Sequence, residues 1–120
     1  MKVIIDFIED IRTAINNDRS FSLRVMGLKE DADAEFRPSW QSELCSYKLD
    51  GEAKKMFLFL GKEEGLNVGE FLDVLEKLGN EAMMYEICVS YSKEGERLDS
   101  SLMGFGESFK DKKYLLFIPE

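Results

Sequence analysis

The chain has 120 residues, a net charge of −8 and no histidine. A domain of this length buries about two-thirds of its unfolded surface, so it can fold without disulfides or metal. Because histidine is missing, Ser-His and Cys-His nucleophile systems are excluded, and two cysteines alone cannot form an ordinary structural zinc site. The acidic charge also disfavours nucleic acid and anionic membranes as direct partners, since clustered Lys and Arg bind phosphates.

The start of the chain and its cysteines bear on location. Residues 1–6 contain charges too early for a signal peptide, and no apolar run approaches the length that spans a bilayer. A cytoplasmic protein is therefore expected. Cys45 and Cys88 lie in predicted strands and are interpreted as small buried side chains in a reducing compartment.

The first third of the chain predicts a helix and a strand. Isoleucines at positions 4, 8, 11 and 15 recur at helical spacing, and the Asn-Asn-Asp sequence at 16–18 ends the helix. Residues 21–25 alternate between apolar and polar and predict a strand that ends near Gly27. Residues 29–41 are expected to form a polar loop.

Two further strands complete the first half. Residues 44–49 and 55–60 both have strand character, and Asp50-Gly51 between them is a signal for a tight hairpin. This half of the chain therefore predicts one helix followed by three strands.

The second half predicts the same order of elements. Asn67 can cap a helix, with Glu70 at the capping-box spacing, and Gly79 is expected at the C′ position. The apolar stripe of this helix consists of Val68, Phe71, Leu72, Leu75 and Leu78. Strands are expected at 83–91, at about 98–105 and at 114–118.

The two halves also resemble each other residue by residue. Residues 6–9 (Asp-Phe-Ile-Glu) recur 64 positions later as residues 70–73 (Glu-Phe-Leu-Asp). From Ser42 and Ser100 onward the offset is 58, and it matches Leu44, Lys54, Lys55, Leu58 and Phe59 with Leu102, Lys112, Lys113, Leu116 and Phe117. We interpret the chain as a single domain, 1–120, built from a tandem αβββ–αβββ repeat, with pseudo-repeat 1 at 1–62 and pseudo-repeat 2 at 63–120.

The predicted fold class is α+β, a mainly antiparallel six-stranded sheet with two helices on one face. Residues 56–60 and 114–118 are apolar on both faces, which predicts central strands that lie next to each other and run antiparallel. The face without helices must then be covered by a loop, a second sheet layer or another chain.

Short motifs do not indicate a catalytic, cofactor or metal site. Residues 31–35 (Asp-Ala-Asp-Ala-Glu) resemble the start of a calcium loop, but Phe36 and Ser42 stand where an EF-hand needs glycine and glutamate. Residues 104–108 are glycine-rich without a phosphate-binding lysine, and they predict a bulge or a bent strand end. We therefore expect no catalytic residues, no cofactor and no metal.

The segment 29–41 is the main candidate for function. The change of offset from 64 to 58 gives the first copy six residues that the second lacks. Phe36, Arg37 and Trp40 lie in this segment, and aromatic residues and arginine are enriched at binding hot spots. Two interpretations remain open: the rings form an exposed binding surface, or they fold back over the sheet as a lid.

Charge indicates a second candidate surface. Residues 1–62 carry 11 acidic and 10 basic side chains, whereas residues 63–120 carry 13 and 6. The acidic side chains at the start of the second helix are the expected contacts for a basic partner. They are Glu63, Glu64, Glu70, Asp73 and Glu76.

These features favour a non-enzymatic acidic protein-binding module. Inhibitors, immunity proteins and phage-encoded antagonists are of this kind, and they set an acidic surface against a basic surface of a nucleic-acid-handling protein. The alternative is a self-associating structural protein that forms a homodimer through an apolar sheet face. The third hypothesis is a small enzyme that uses carboxylates or a pocket between the repeats.

Overall fold

The computed structural model describes residues 3–30, 32–33, 35–61 and 65–119, and for Phe36 the backbone alone. These residues form helices α1 (Ile4–Ala14) and α2 (Val68–Glu76) and a 3-10 helix at Asn80–Met84. The strands are β1 (Ser22–Glu30), β2 (Phe36–Asp50), β3 (Lys55–Gly61), β4 (Glu86–Lys93), β5 (Glu96–Ser101), β6 (Gly104–Ser108) and β7 (Lys113–Pro119). The fold class is α+β, as predicted. None of the helices described is long and apolar enough to cross a membrane.

All of these strands belong to one mixed sheet with the order β5-β4-β3-β2-β1-β7-β6. The sheet has seven strands, so the predicted number of six is wrong. The prediction of antiparallel pairing is only partly right, because β1–β7 and β3–β4 are parallel. The connection from β3 to β4 passes through α2 and the 3-10 helix, which gives the chain the length that a parallel crossover needs.

The predicted neighbourhood of the two apolar strands is also wrong. β3 lies between β2 and β4, and β7 lies between β1 and β6, so β3 and β7 do not touch within the sheet order. Each of these strands pairs in parallel with the first strand of the other half of the chain. Local hydrophobicity identifies a central strand but carries no information about which distant strand becomes its neighbour.

The seventh strand arises because the expected strand at 98–105 is interrupted after Ser101. The predicted strand at 98–105 is divided into β5, which pairs with β4, and β6, which pairs with β7. Leu102 and Met103 separate them, and the Met103 N–H donates to the Phe117 carbonyl at 2.8 Å. Because β5 and β6 stand at opposite ends of the sheet order but are at most about 11 Å apart along the chain, the sheet curls until its two ends adjoin.

β2 also pairs with two different strands, but it does so as one continuous strand. Residues 36–43 pair with β1, residues 43–50 pair with β3, and a bulge lies between Leu44 and Ser46. The predicted polar loop at 29–41 is therefore wrong, since β1 continues to Glu30 and β2 begins at Phe36. The cross-strand pairs Lys29–Arg37 and Glu30–Phe36 satisfy the backbone of this polar segment, so hydrogen bonding overrides its loop-like composition.

The core lies between the helices and one face of the sheet. α1 buries Ile4, Phe7, Ile8 and Ile11, α2 buries Val68, Phe71, Leu72 and Leu75, and alternate strand residues such as Leu58 and Leu116 join the same cluster. The Phe7 ring is central to it, with its centroid 5.7 Å from Phe71 and 5.2 Å from Phe105. On the opposite face Phe57, Phe59 and Phe117 are half-buried.

Turns and helix ends agree with the sequence in part. The capping box of Asn67 and Glu70 is present, with the Glu70 N–H donating to Asn67 Oδ1 at 2.8 Å. Gly79 is not a left-handed C′ residue, because its φ is −70° and residues 80–84 continue as a 3-10 helix. Asp50-Gly51 does not form a two-residue hairpin, since the turn extends to Lys54, where φ is 55°.

Candidate functional site

A cleft opens where β3 and β4 diverge. The paired stretch of these two parallel strands runs from Lys55–Glu86 to Phe59–Ser90. Beyond it, β3 continues to Gly61 along β2, and β4 continues to Lys93 along β5. The space between the two strand ends has a volume of about 550 Å³, within the range of known ligand sites. We call it the β3–β4 cleft.

Trp40 and Tyr91 form the aromatic wall of the cleft. Trp40 is partly buried on β2 opposite Gly27, and its ring lies directly over that glycine. A Cβ atom at Gly27 would be 2.5 Å from Trp40 Cε2, so only glycine leaves room for the ring. The Trp40 and Tyr91 centroids are 5.6 Å apart with an interplanar angle of 46°. β1, β2 and β4 therefore position the two rings together.

Arg97 provides a guanidinium group at the cleft. It lies on β5 opposite Ser92, and its Nε donates to the buried Ser90 Oγ at 2.7 Å. Its Cζ lies 5.3 Å from the Phe59 ring centroid and 5.8 Å from that of Phe57. The hydrogen bond and the two rings hold the guanidinium in place although 59% of the side chain is exposed.

Charge in the cleft is opposite to that of the whole chain. Of the described residues that line it, Lys93 and Arg97 are cationic and none is acidic. Serine hydroxyls at positions 42, 90 and 92 add polar groups, and Phe59 and Leu60 add apolar surface. Such a mixture of aromatic wall, hydroxyls and cations is suited to a ligand that has both apolar and anionic parts.

The cleft contains one of the three residues predicted in segment 29–41. Trp40 lines it, whereas the backbone of Phe36 lies at the far end of β2, opposite Glu30. Arg37 is also outside the lining, and its Nη2 is 3.6 Å from Glu35 Oε2. Tyr91 and Arg97 were not predicted. One sequence signal was present for Arg97, which is the only arginine after residue 62.

The described carboxylates of the predicted acidic surface lie on α2, outside the cleft. Asp73 Oδ1 is 2.5 Å from Arg19 Nη2, and Glu76 forms an ion pair with Arg12. Glu70 accepts a hydrogen bond from the Asn67 N–H in the capping box. These carboxylates therefore already have partners within the chain. Glu63 and Glu64 lie outside the described residues.

Other reactive groups offer little chemistry. Burial, followed by the hydrogen bond to Glu86 and the charge of that carboxylate, raises the pKa of the Cys88 thiol to about 12. A thiol with this pKa is protonated and a poor nucleophile near neutral pH. Within the described ranges, no group of three acidic or cysteine side chains could hold a metal ion, and Asp31 of the calcium-like motif lies outside those ranges.

Comparison with known proteins adds no family. The chain matches no protein-family model, and neither the curated proteins nor the solved structures include a significant match.

Proposed function

We propose that this chain is a non-enzymatic protein-binding module and that a segment of its partner occupies the β3–β4 cleft. The observation that carries the proposal is the Trp40–Tyr91 wall, in which two rings 5.6 Å apart border a cleft of about 550 Å³. Tryptophan, tyrosine and arginine are the residues most enriched at binding hot spots, and Trp40, Tyr91 and Arg97 meet at this one place.

We also propose the tandem αβββ–αβββ repeat, in which β5 and β6 together take the place of the second strand of the second copy. Reciprocal contacts support it: the Ile4 N–H at the start of α1 donates to the Tyr85 carbonyl, and the Val68 N–H at the start of α2 donates to the Phe21 carbonyl. The two donors, Ile4 and Val68, are 64 positions apart, and so are the two acceptors, Phe21 and Tyr85. The break between β5 and β6 would then correspond to the bulge in β2, and the cleft would mark a difference between the copies.

Turn geometry supports the same proposal. Lys54 and Lys112, 58 positions apart, both have positive φ, 55° and 52°, immediately before β3 and β7. Superposition of residues 3–61 on 67–119 in an experimental structure tests the repeat. Helices and strands that do not superpose in the same order would contradict it.

The function is tested by substitution of Trp40 in a pull-down. The tagged wild-type chain, Trp40→Ala and Phe109→Ala are each incubated with lysate of the native cell, and captured proteins are identified by mass spectrometry. Phe109 is a matched control because it is an exposed aromatic residue outside the cleft lining. We expect a partner that Trp40→Ala loses by about 30-fold or more in affinity and Phe109→Ala retains. A partner captured equally by all three proteins would contradict the proposal.

An acidic face is a second candidate surface, supported by the net charge of −8. In this proposal the partner is a basic surface, such as that of a nucleic-acid-handling protein, and it meets Glu70, Asp73 and Glu76 on α2. Association should then slow as salt rises. Because Asp73 and Glu76 pair with arginines, charge reversal at these positions must be accompanied by a stability measurement. Salt-independent association would exclude this face.

Self-association through the sheet is the remaining candidate. The half-buried Phe57, Phe59 and Phe117 lie on the face that the helices leave uncovered, which supports a homodimer. Sedimentation velocity over a hundredfold range of concentration tests it. A mass that stays at 13.8 kDa throughout would exclude the dimer.

A further inference from the structure

We propose that the partner segment in the β3–β4 cleft is an extended peptide with an acidic side chain, bound as an added strand between β3 and β4. This inference rests on the proposed binding function and specifies the chemistry of the partner. Three properties of the cleft support it: the charge of its lining, the two guanidinium nitrogens of Arg97 that make no hydrogen bond within the described part of the chain, and the ends of β3 and β4 that extend beyond their last mutual pair.

The charge of the cleft selects an anionic segment. The chain has 24 acidic and 16 basic residues, yet the described lining contains Lys93 and Arg97 and no acidic side chain. A basic peptide would bring like charges together at Arg97, whereas a carboxylate would be attracted to its guanidinium group. The local charge therefore favours an acidic partner segment in spite of the negative charge of the whole protein.

The guanidinium of Arg97 is held in place, but only one of its nitrogens donates a hydrogen bond to a described residue. Its Nε donates to Ser90 Oγ, and Asp99 Oδ1 lies 3.5 Å from the same nitrogen. Among the described residues, Nη1 and Nη2 have no hydrogen-bond partner. A carboxylate can bind these two nitrogens as a bidentate pair, which is the strongest arrangement that an arginine forms with an acid. The stacking on Phe57 and Phe59 lowers the entropy that Arg97 loses on binding.

The strand edges provide the main-chain contacts. Leu60 and Gly61 pair with β2, and residues 91–93 pair with β5, so each of these strand ends is hydrogen-bonded to its outer neighbour. A strand directs its N–H and C=O groups alternately to its two edges, and the edges that face the cleft are beyond the last β3–β4 pair, Phe59–Ser90. An extended peptide between them would complete both ladders, as in other cases of strand addition.

The aromatic wall would hold the neighbouring side chain of the peptide. Successive side chains of a strand point to opposite faces. A peptide in the cleft would therefore place one side chain toward Trp40 and Tyr91 and the next toward Arg97, which lies on the face of Phe57 and Phe59. The expected motif is an alternation of an apolar and an acidic residue.

The experiment uses random heptapeptides displayed on phage and selected on the immobilised full-length chain. Enriched sequences are synthesised and titrated while tryptophan fluorescence is recorded, because Trp40 is the only tryptophan and lies in the cleft. Each peptide is measured with wild type, Arg97→Gln, Arg97→Lys and Lys110→Gln. The last is a matched control that removes one positive charge outside the lining. A second set of peptides carries N-methyl groups on the central amides.

We expect enriched peptides to contain Asp or Glu next to an apolar residue and to change Trp40 fluorescence. Arg97→Gln should weaken them about tenfold or more, since a charge-assisted hydrogen bond is lost. Arg97→Lys should weaken them less, and Lys110→Gln by no more than about twofold. N-methylation should weaken binding about tenfold or more, because it removes main-chain donors.

Two results would overturn the inference in distinguishable ways. Peptides that change Trp40 fluorescence but are indifferent to Arg97→Gln or to N-methylation would contradict the acidic added strand and leave the binding function in place. If no selected peptide changes Trp40 fluorescence, both the inference and the cleft as a binding site for protein segments are wrong.

Discussion

The two parallel strand pairs of the sheet begin alike and end differently. Leu23 pairs with Tyr114 in one, and Met56 pairs with Ile87 in the other, at positions separated by the offsets of 58 and 64. The β1–β7 pair then continues through Gly27–Ile118 to Leu28–Pro119, whereas the β3–β4 pair stops at Phe59–Ser90. The same register therefore supports a closed pair on one side of the molecule and a cleft on the other.

The side chains at the ends of the two pairs also differ. On the closed side Gly27 has no side chain, so the Trp40 ring can lie over the strand. The corresponding position on the open side, 64 residues later, is Tyr91, whose ring meets Trp40 instead. Two strand pairs with matching register can therefore end differently when the side chains at their ends differ.

The largest expected effect concerns what the two pairs share. Leu58 and Leu116 are fully buried at matching positions in β3 and β7. Leu58→Ala and Leu116→Ala should each reduce the free energy of unfolding by about 2–5 kcal/mol, because each leaves a cavity in the same core. Urea denaturation measures both. Costs that differ by more than about 2 kcal/mol would show that the two pairs are not equivalent in packing.

A smaller effect is expected where the pairs differ. Gly27→Ala places a Cβ atom 2.5 Å from Trp40, so the ring or the strand must move, at a cost of about 1–3 kcal/mol. The cost should largely disappear in a Trp40→Ala background, which a double-mutant cycle measures. Gly79→Ala is the matched control, since Gly79 has an ordinary φ of −70° and open space around it. Equal costs with and without Trp40 would contradict the steric explanation.

The starts of the two helices give a third comparison. Asn67→Ala removes the side-chain cap of α2 and should cost about 1 kcal/mol. Glu70→Gln keeps a group that can accept the Asn67 N–H and should change stability by only a few tenths of a kcal/mol. At α1 the cap position is the buried Val3, so Val3→Asn should destabilise and not stabilise the protein. Thermal or urea melts of the three variants distinguish these outcomes.

The smallest effect is expected at the ion pairs between the two halves. Arg12–Glu76 and Arg19–Asp73 are substantially exposed, so double-mutant cycles should give coupling energies below about 1 kcal/mol. Raising the salt concentration should reduce these energies further. Couplings well above that range would mean that the ion pairs, and not the shared core, hold the two halves together.

Local patterns predicted much of the fold. The helical spacing of isoleucines located α1, and Asn67 with Glu70 located the start of α2. The alternating strands and the α+β class also followed from the sequence. The loop at 29–41 and the single strand at 98–105 were wrong, because pairing partners decide whether a polar segment becomes a strand and where a strand breaks.

The candidate site was predicted less well than the fold. Trp40 was singled out because a large aromatic residue lay in the segment that the proposed repeat assigns to the first copy alone, and it lines the cleft. The sequence could not predict that Tyr91 and Arg97 lie near Trp40, because their strands β4 and β5 are separated from β2 by β3 in the sheet order. Only the end of the β3–β4 pair brings these three side chains together.

The sequence by itself determined the helices, most of the strands and the buried faces, because periodicity and capping act between residues close in the chain. The tertiary structure alone decided the strand order, the two parallel pairs and the place where one of them opens. Val25 meets Leu116 although they are far apart in the chain, and such contacts depend on how whole elements share one core. The position of the cleft therefore depends on packing between strands, which no local pattern records.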